Sequence, residues 1–150
     1  MEYTTNKYSL PVPRKSITKI SHYSSPAHRG FLRQAVDFIV PLGTSVYAAA
    51  GGIVVDMKEN SSEGGKTKHY DTLGNFIEIK HNNEEYSLYE HLEPGSSKVS
   101  IGQRVKRGQK IGKSGATGWI AHLGPHLHFA VGKYVDLRSL KVKWNKRSVK

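Results

Sequence analysis

The chain has 150 residues, 37% hydrophobic and 23% charged, with a formal net charge of +11 and no cysteine. That length suits one domain with its own core, the balance is neither that of a disordered chain nor of a membrane one, and no apolar run approaches the length of a spanning helix. Without thiols there is no disulfide framework and no thiolate zinc site, so any metal must rest on His, Asp or Glu; the charge implies a polyanionic partner (nucleic acid, anionic membrane or acidic wall) without choosing among them.

The first ten residues lack the apolar stretch of a secretory leader. Residues 1–30 carry Pro11, Pro13 and Pro26 among Ser, Thr and Lys, together with His22 and His28, and read as an irregular or edge-strand lead-in. A strand is expected over residues 34–40, ended by Pro41-Leu42-Gly43. Asp37 interrupts its apolar run, where an unanswered carboxylate is costly, so Asp37 must face water, pair with a base or ligate a metal. Residues 46–55 read as two short strands broken at Gly51-Gly52, and residues 56–74 as a long polar loop holding His69 and Tyr70, of a length that is often functional. Residues 75–80 and 85–92 form a hairpin about Asn82-Asn83, with Glu84 and Glu85 solvated at its tip. Residues 98–113 repeat a Gly-x-x-Val-x-x-Gly-x-x-Ile-Gly rhythm of short strands and tight turns.

A Gly-Pro turn at Gly124-Pro125 then opens His126-Leu127-His128-Phe129, which alternates as a half-buried strand does. His126 and His128 share one face, about 6–7 Å apart, while Leu127 and Phe129 take the other. One imidazole can bind a metal while its neighbour works on what the metal holds; two surface histidines on an edge strand are the plainer reading. Residues 134–150 form a basic tail with Trp144 inside it, read as a final strand and a frayed end. Many short strands, Gly turns and no long amphipathic helix predict an all-β fold, an antiparallel sandwich or barrel-sandwich with long groove-lining loops. A catalytic zinc keeps three protein ligands and an open fourth position; His128, Asp37 and an upstream His would supply two nitrogens and a carboxylate oxygen.

Several ordered segments resemble the lysostaphin-type (LytM-like) zinc endopeptidases, which cut peptidoglycan cross-links. They are Asp37-Phe38 with Pro41 to Thr44 and Val46 to Ala49; Gly74-Asn75 with Ile77 to His81; Leu88-Tyr89-Glu90-His91-Leu92; Ile101 to Gly112; Thr117-Gly118; and Gly124 to Phe129. The resemblance covers roughly residues 28–133, leaving 1–27 as lead-in and 134–150 as tail. It implies one zinc ion held by His28, Asp37 and His128, with His91 and His126 as the catalytic pair beside a metal-activated water. It also implies a peptidoglycan-like peptide substrate and a place outside the cell or on its wall, although no leader is visible. The positive charge then reads as retention on an anionic wall or as solubility, with no specific nucleic acid partner.

The chain departs from this pattern in three places. The position four before Asp37, where the family usually has its first His, is Arg33, which cannot ligate a cation. An extended loop returning His28 to the metal is therefore expected, with His22 as the other candidate. Ala130 stands where a Glu commonly follows the Phe, and residues 119–123 add a loop containing Trp119 and His122, the latter expected on the groove rim. The loops 56–74 and 119–123 would wall the groove, with Tyr70 and Trp119 against a peptide. The alternatives are a catalytically inactive scaffold of the same fold that binds a wall or protein partner, a biotinyl- or lipoyl-carrier-like domain with Lys58 as its modified residue, and a basic nucleic-acid binder.

Overall fold

The computed structural model describes residues 2–22, 34–120, 124–133 and 138–145, and among them there is no α-helix. The strands are β1 (Tyr3–Tyr8), β2 (Lys19–Ser21), β3 (Val36–Ile39), β4 (Ser45–Tyr47), β5 (Gly52–Lys58), β6 (Gly64–Gly65) and β7 (Asn75–Lys80), followed by β8 (Glu85–Leu92), β9 (Arg104–Val105), β10 (Lys110–Lys113), β11 (Gly118–Trp119), β12 (Leu127–Lys133), β13 (Arg138–Ser139) and β14 (Lys141–Trp144). The main sheet is antiparallel, in the order β2-β3-β12-β8-β7-β5-β9, with β13 on the end of β12. Smaller two-stranded pieces, β4 with β10 (antiparallel) and β1 with β14 (parallel), cover one of its faces. The fold is all-β, as the short strands and Gly turns predict.

Period-two alternation decides which side chains fill the space between these layers. Ile77, Ile79, Tyr89, Phe129, Leu127 and Phe38 point inward from the main sheet, and Tyr8, Val46, Ile111 and Val142 meet them from the smaller ones. Trp144 packs its ring 5.7 Å from that of Phe129 and 6.0 Å from that of Phe38. The N-terminal segment is thus built into the structure through β1, and β14 holds Trp144 against the core. Strand β5 also runs further than expected, through Asp56, Met57 and Lys58, because it pairs with β7 past a bulge.

One expectation is overturned on the inward face. Glu84 is exposed, but Glu85 is fully buried. Glu85 lies on the same face as Ser87 and Tyr89, two and four residues along, and β1 crosses over it. Its carboxylate accepts hydrogen bonds from the Thr5 and Asn6 amides and from the Tyr8 hydroxyl (2.9 Å). Three donors answer the desolvation that a lone carboxylate could not survive. Beside it, His81 is buried: Nδ1 donates to Gly51 O (2.7 Å), and Ser87 Oγ bridges His81 Nε2 (2.7 Å) and the Tyr89 hydroxyl (2.8 Å). Burial pushes the His81 pKa below its ordinary value, against the pull of the Gly51 carbonyl and Glu85, with Arg107 adding to the downward push.

The other face carries a single row across four strands. Asp37 on β3 stands opposite His128 on β12, which stands opposite Glu90 on β8, which stands opposite Phe76 on β7. By alternation His91, next to Glu90, would point to the inward face. A bulge prevents this: Asn75 pairs with Leu92 but Phe76 pairs with Glu90, so His91 is the one residue in excess of the partner strand. His91 has φ +70°, a left-handed backbone that bulges use to re-aim a side chain and that L-residues adopt at a cost. Its ring consequently sits on the same face as His128.

Two outcomes test this account. At His91, Gly should be more stable than Ala by about 1 kcal/mol, reversing the usual strand order, because only Gly holds positive φ without strain; urea midpoints of His91→Gly and His91→Ala measure it, and the usual order would refute the strained bulge. For His81, the folded ring stays neutral while the unfolded one titrates normally, so stability is full above about pH 6.5 and declines as pH falls toward the depressed folded value. His81→Gln should flatten that decline between pH 7.5 and 5.0 in denaturation profiles; parallel profiles would contradict it.

Candidate metal centre

The outer face of the sheet brings four of the five expected site residues together. Asp37, His91, His126 and His128 are all buried although polar. They arrive from three separate strand regions, β3, β8 and the start of β12. His128 Nδ1 lies 2.9 Å and His126 Nε2 3.5 Å from the same Asp37 oxygen, Oδ1. The His91 ring centroid is 4.6 Å from that of His126 and 5.8 Å from that of His128. His28 lies outside the described residues, as does His122. His22 lines a small apolar pocket with Leu10, Phe38 and Trp144.

The tautomers are set by backbone carbonyls. His91 Nδ1 donates to Thr117 O and His126 Nδ1 donates to Gly124 O, each at 2.7 Å, which leaves Nε2 as the lone-pair nitrogen of each neutral ring. Burial, then the neighbouring His91, holds the His126 pKa down at about 4, against the pull of Asp37. Burial alone would lower His128 too, but its hydrogen bond to Asp37 and the charges of Asp37 and Glu90 raise it overall. A proton between Asp37 Oδ1 and His128 Nδ1 thus bridges the two.

Asp37 and His128 carry the donor types zinc takes, carboxylate oxygen and imidazole nitrogen. Two ligands of a tetrahedral zinc, with bonds of about 2.0–2.1 Å, lie roughly 3.3 Å apart, close to the 2.9 Å seen here. These residues fit two corners of such a site. Among the described residues no group of three His, Asp or Glu completes it.

The Thr117-Gly118 segment seats the bulge. Thr117 Oγ1 accepts from the Asn75 amide (3.0 Å) and donates to Leu92 O (2.7 Å), taking up the groups the bulge leaves out of register. Gly118 has φ +83°, and a Cβ there would meet Gly74 Cα at 2.7 Å and His91 Nδ1 at 3.1 Å, so only Gly lets this segment close on His91. The segment 56–74 is joined to it: β6 pairs in parallel with β11, Trp119 Nε1 donates to Lys66 O (3.3 Å), and Tyr70 packs under Gly65. Tyr70 also stacks edge-on with the exposed His69.

Sequence reasoning missed Glu90. It faces the site beside His128, and burial raises its carboxyl pKa, with His128 and His126 pulling it back and Asp37 and Asp71 adding to the rise. The signal was available: counted from Tyr89, an inward residue, Glu90 falls on the outer face.

The family model described as Peptidase family M23 matches residues 32–143. Peptidoglycan DD-endopeptidase ShyA of Vibrio cholerae is 40% identical over 95 residues, covering 62% of this chain and 18% of its own length. An uncharacterised metalloprotease of Buchnera aphidicola is 34% identical over 113 residues, 73% of this chain and 26% of its own. The chain therefore spans about a fifth to a quarter of the length of these curated relatives. Among solved structures, the lysostaphin catalytic domain of Staphylococcus simulans aligns with a TM-score of 0.59 at 26% identity, covering 81% of this chain and 86% of that one. A zinc-containing peptidase from Vibrio cholerae aligns with a TM-score of 0.55 at 32% identity, covering 82% of this chain and 37% of that one. With the β-sheet, the cluster of polar residues on its outer face and a family match over most of the chain in agreement, this chain belongs to peptidase family M23.

Proposed function

We infer that this chain is a zinc-dependent endopeptidase that hydrolyses peptide cross-links of peptidoglycan. The observation that carries the reading is the convergence of Asp37, His91, His126 and His128, all buried, on one side of one sheet. A relative named as a peptidoglycan DD-endopeptidase and a structural neighbour described as zinc-containing support the substrate and the metal.

In this reading Asp37 and His128 hold the metal, with His28 as the third protein ligand. A bound zinc supplies Lewis acidity, lowering the pKa of water toward ~7 and polarising a carbonyl. The remaining work belongs to the chain. His128 releases the proton it shares with Asp37 when it turns ligand. His91 and His126 present unprotonated Nε2 atoms 4.6 Å ring to ring, one to take a proton from the attacking water and the pair to return one to the departing amine. Low basicity keeps His126 neutral at neutral pH, so it receives or donates a hydrogen bond there without adding charge beside the metal. The bulge at His91, locked by Thr117, fixes the second ring in reach.

Purified sacculi of several cross-link types, incubated with the protein with and without chelator, test the reading directly. Soluble peptides should appear from at least one type, stop with chelator and resume on adding zinc; release that ignores chelator, or none from any type, would sink it. Single variants separate the roles. His91→Ala and His126→Ala should each lower kcat by about 10²–10⁴-fold with bound zinc unchanged, whereas Asp37→Ala and His128→Ala should lose zinc stoichiometry in elemental analysis. Equal zinc loss in all four would contradict the division.

A further inference from the structure

At the end of the main sheet away from the row of site residues lies a second concavity, a shallow basin of about 1120 Å³. It opens where β5 meets β9 and β7 ends at Lys80, four residues from Phe76, hence about 13 Å along the strand from the Glu90 register. Among the described residues five cations line it: Lys7, Lys80, Arg104, Lys106 and Arg107. Of the carboxylates nearby, Glu84 pairs with Lys80 at 3.8 Å, and Glu85 is buried behind the wall with its oxygens taken by Thr5, Asn6 and Tyr8. Among the described residues, Lys7, Arg104, Lys106 and Arg107 form no ion pair with a carboxylate.

Arg107 is held in place within this basin. Its Nη1 donates to Ser9 Oγ (3.0 Å) and Ala49 O (2.8 Å), and its Nη2 to Lys7 O (2.9 Å). These neutral acceptors fix the guanidinium without cancelling its charge. The Gln109 side chain accepts from the Lys106 amide (3.0 Å) and holds the turn that presents Arg104 and Lys106 outward. Like charges gathered in a concavity repel one another, a bound anion relieves that repulsion, and at Arg107 the charge is already held in place.

We propose that this basin binds an anionic glycopolymer, a sugar or polyol chain whose repeat carries a phosphodiester or a carboxylate. The volume exceeds that of one small anion, and four unanswered cations suit several charges on one chain. Among the described residues no Phe, Tyr or Trp lines the basin, which therefore offers no stacking platform of the kind single-stranded nucleic acid uses. The proposal rests on the peptidase reading for its purpose: a wall polymer held at one end of the sheet raises the effective concentration of cross-links at the other.

The test measures binding of the full chain to poly(glycerol phosphate), polygalacturonate, neutral dextran and a single-stranded oligonucleotide across a salt series. One or both anionic polymers, poly(glycerol phosphate) and polygalacturonate, should bind, with affinity falling as salt rises, and dextran should not. Which of the two binds more tightly identifies the repeat. Arg104→Glu/Lys106→Glu should weaken that binding at least tenfold, while Lys19→Glu/Lys98→Glu, exposed residues outside the basin with the same change in net charge, should stay within threefold. No binding to poly(glycerol phosphate) or polygalacturonate, equal loss in both double variants, or an oligonucleotide binding tenfold more tightly with the same loss would each overturn the proposal. Hydrolysis of a short soluble cross-linked peptide is measured in parallel. The basin variant should cleave it at the parental rate; failure of the parent to cleave it counts against the peptidase reading and leaves the binding result standing, whereas parallel loss of cleavage and binding in the basin variant overturns the proposal as a separate site.

Discussion

A carboxylate with no exposed surface has to be answered by hydrogen-bond donors or by positive charge, and Asp37, whose neighbours are imidazoles, is the point on which the outer face of this sheet turns. Its place on β3 is dictated by the pairing with β12, so the residue opposite is always His128. A shared proton meets the need in the arrangement seen here, and a divalent ion of the right size would meet it with both side chains nearly where they already stand. The strand pairing thus sets the two groups side by side on its own, and in the proposed reading little reorganisation would be left for a metal to drive.

The two faces of the main sheet solve the same electrostatic problem differently. On the inner face Glu85 is satisfied by two amides and a hydroxyl, and His81 is kept neutral by burial within a chain of hydrogen bonds. Those groups are fully occupied and hold β1 against the hairpin. On the outer face the buried polar groups are gathered against one another, imidazole beside imidazole beside carboxylate. Closed networks rigidify; gathered like donors invite an ion. The basic basin is a third variant, in which the charges stay at the surface and neutral oxygens hold one of them in place.

Much of this was legible in the residues. The alternation His126-Leu127-His128-Phe129 assigns both histidines to one face, and the apolar run around Asp37 marks it as needing a partner. The Gly-x-x-Val-x-x-Gly rhythm does yield short strands and turns, with φ +90° at Gly102 and +81° at Gly108. What could not be read was the exception to alternation. A bulge depends on the register of two strands, and nothing in Tyr89-Glu90-His91 announces that His91 will be the residue left over. Glu85 was misplaced for a related reason: hairpin tips are usually solvated, and the crossing of β1 over this one is a contact between residues about eighty positions apart. The Thr117-Gly118 pair matched a family pattern, but its work in closing the ladder behind the bulge appears only once the third segment is in place.

The parallel pairing of β1 with β14 has a mechanical side. The chain enters β1 at Tyr3 beside Lys141 and leaves β14 at Trp144 beside Tyr8, so its two exits lie at opposite ends of one two-stranded ribbon. Tension applied between neighbouring segments of the polypeptide would load those hydrogen bonds in shear, all together, instead of peeling them one at a time. A body tethered through both ends to something that stretches would thus resist along the very direction in which it is pulled.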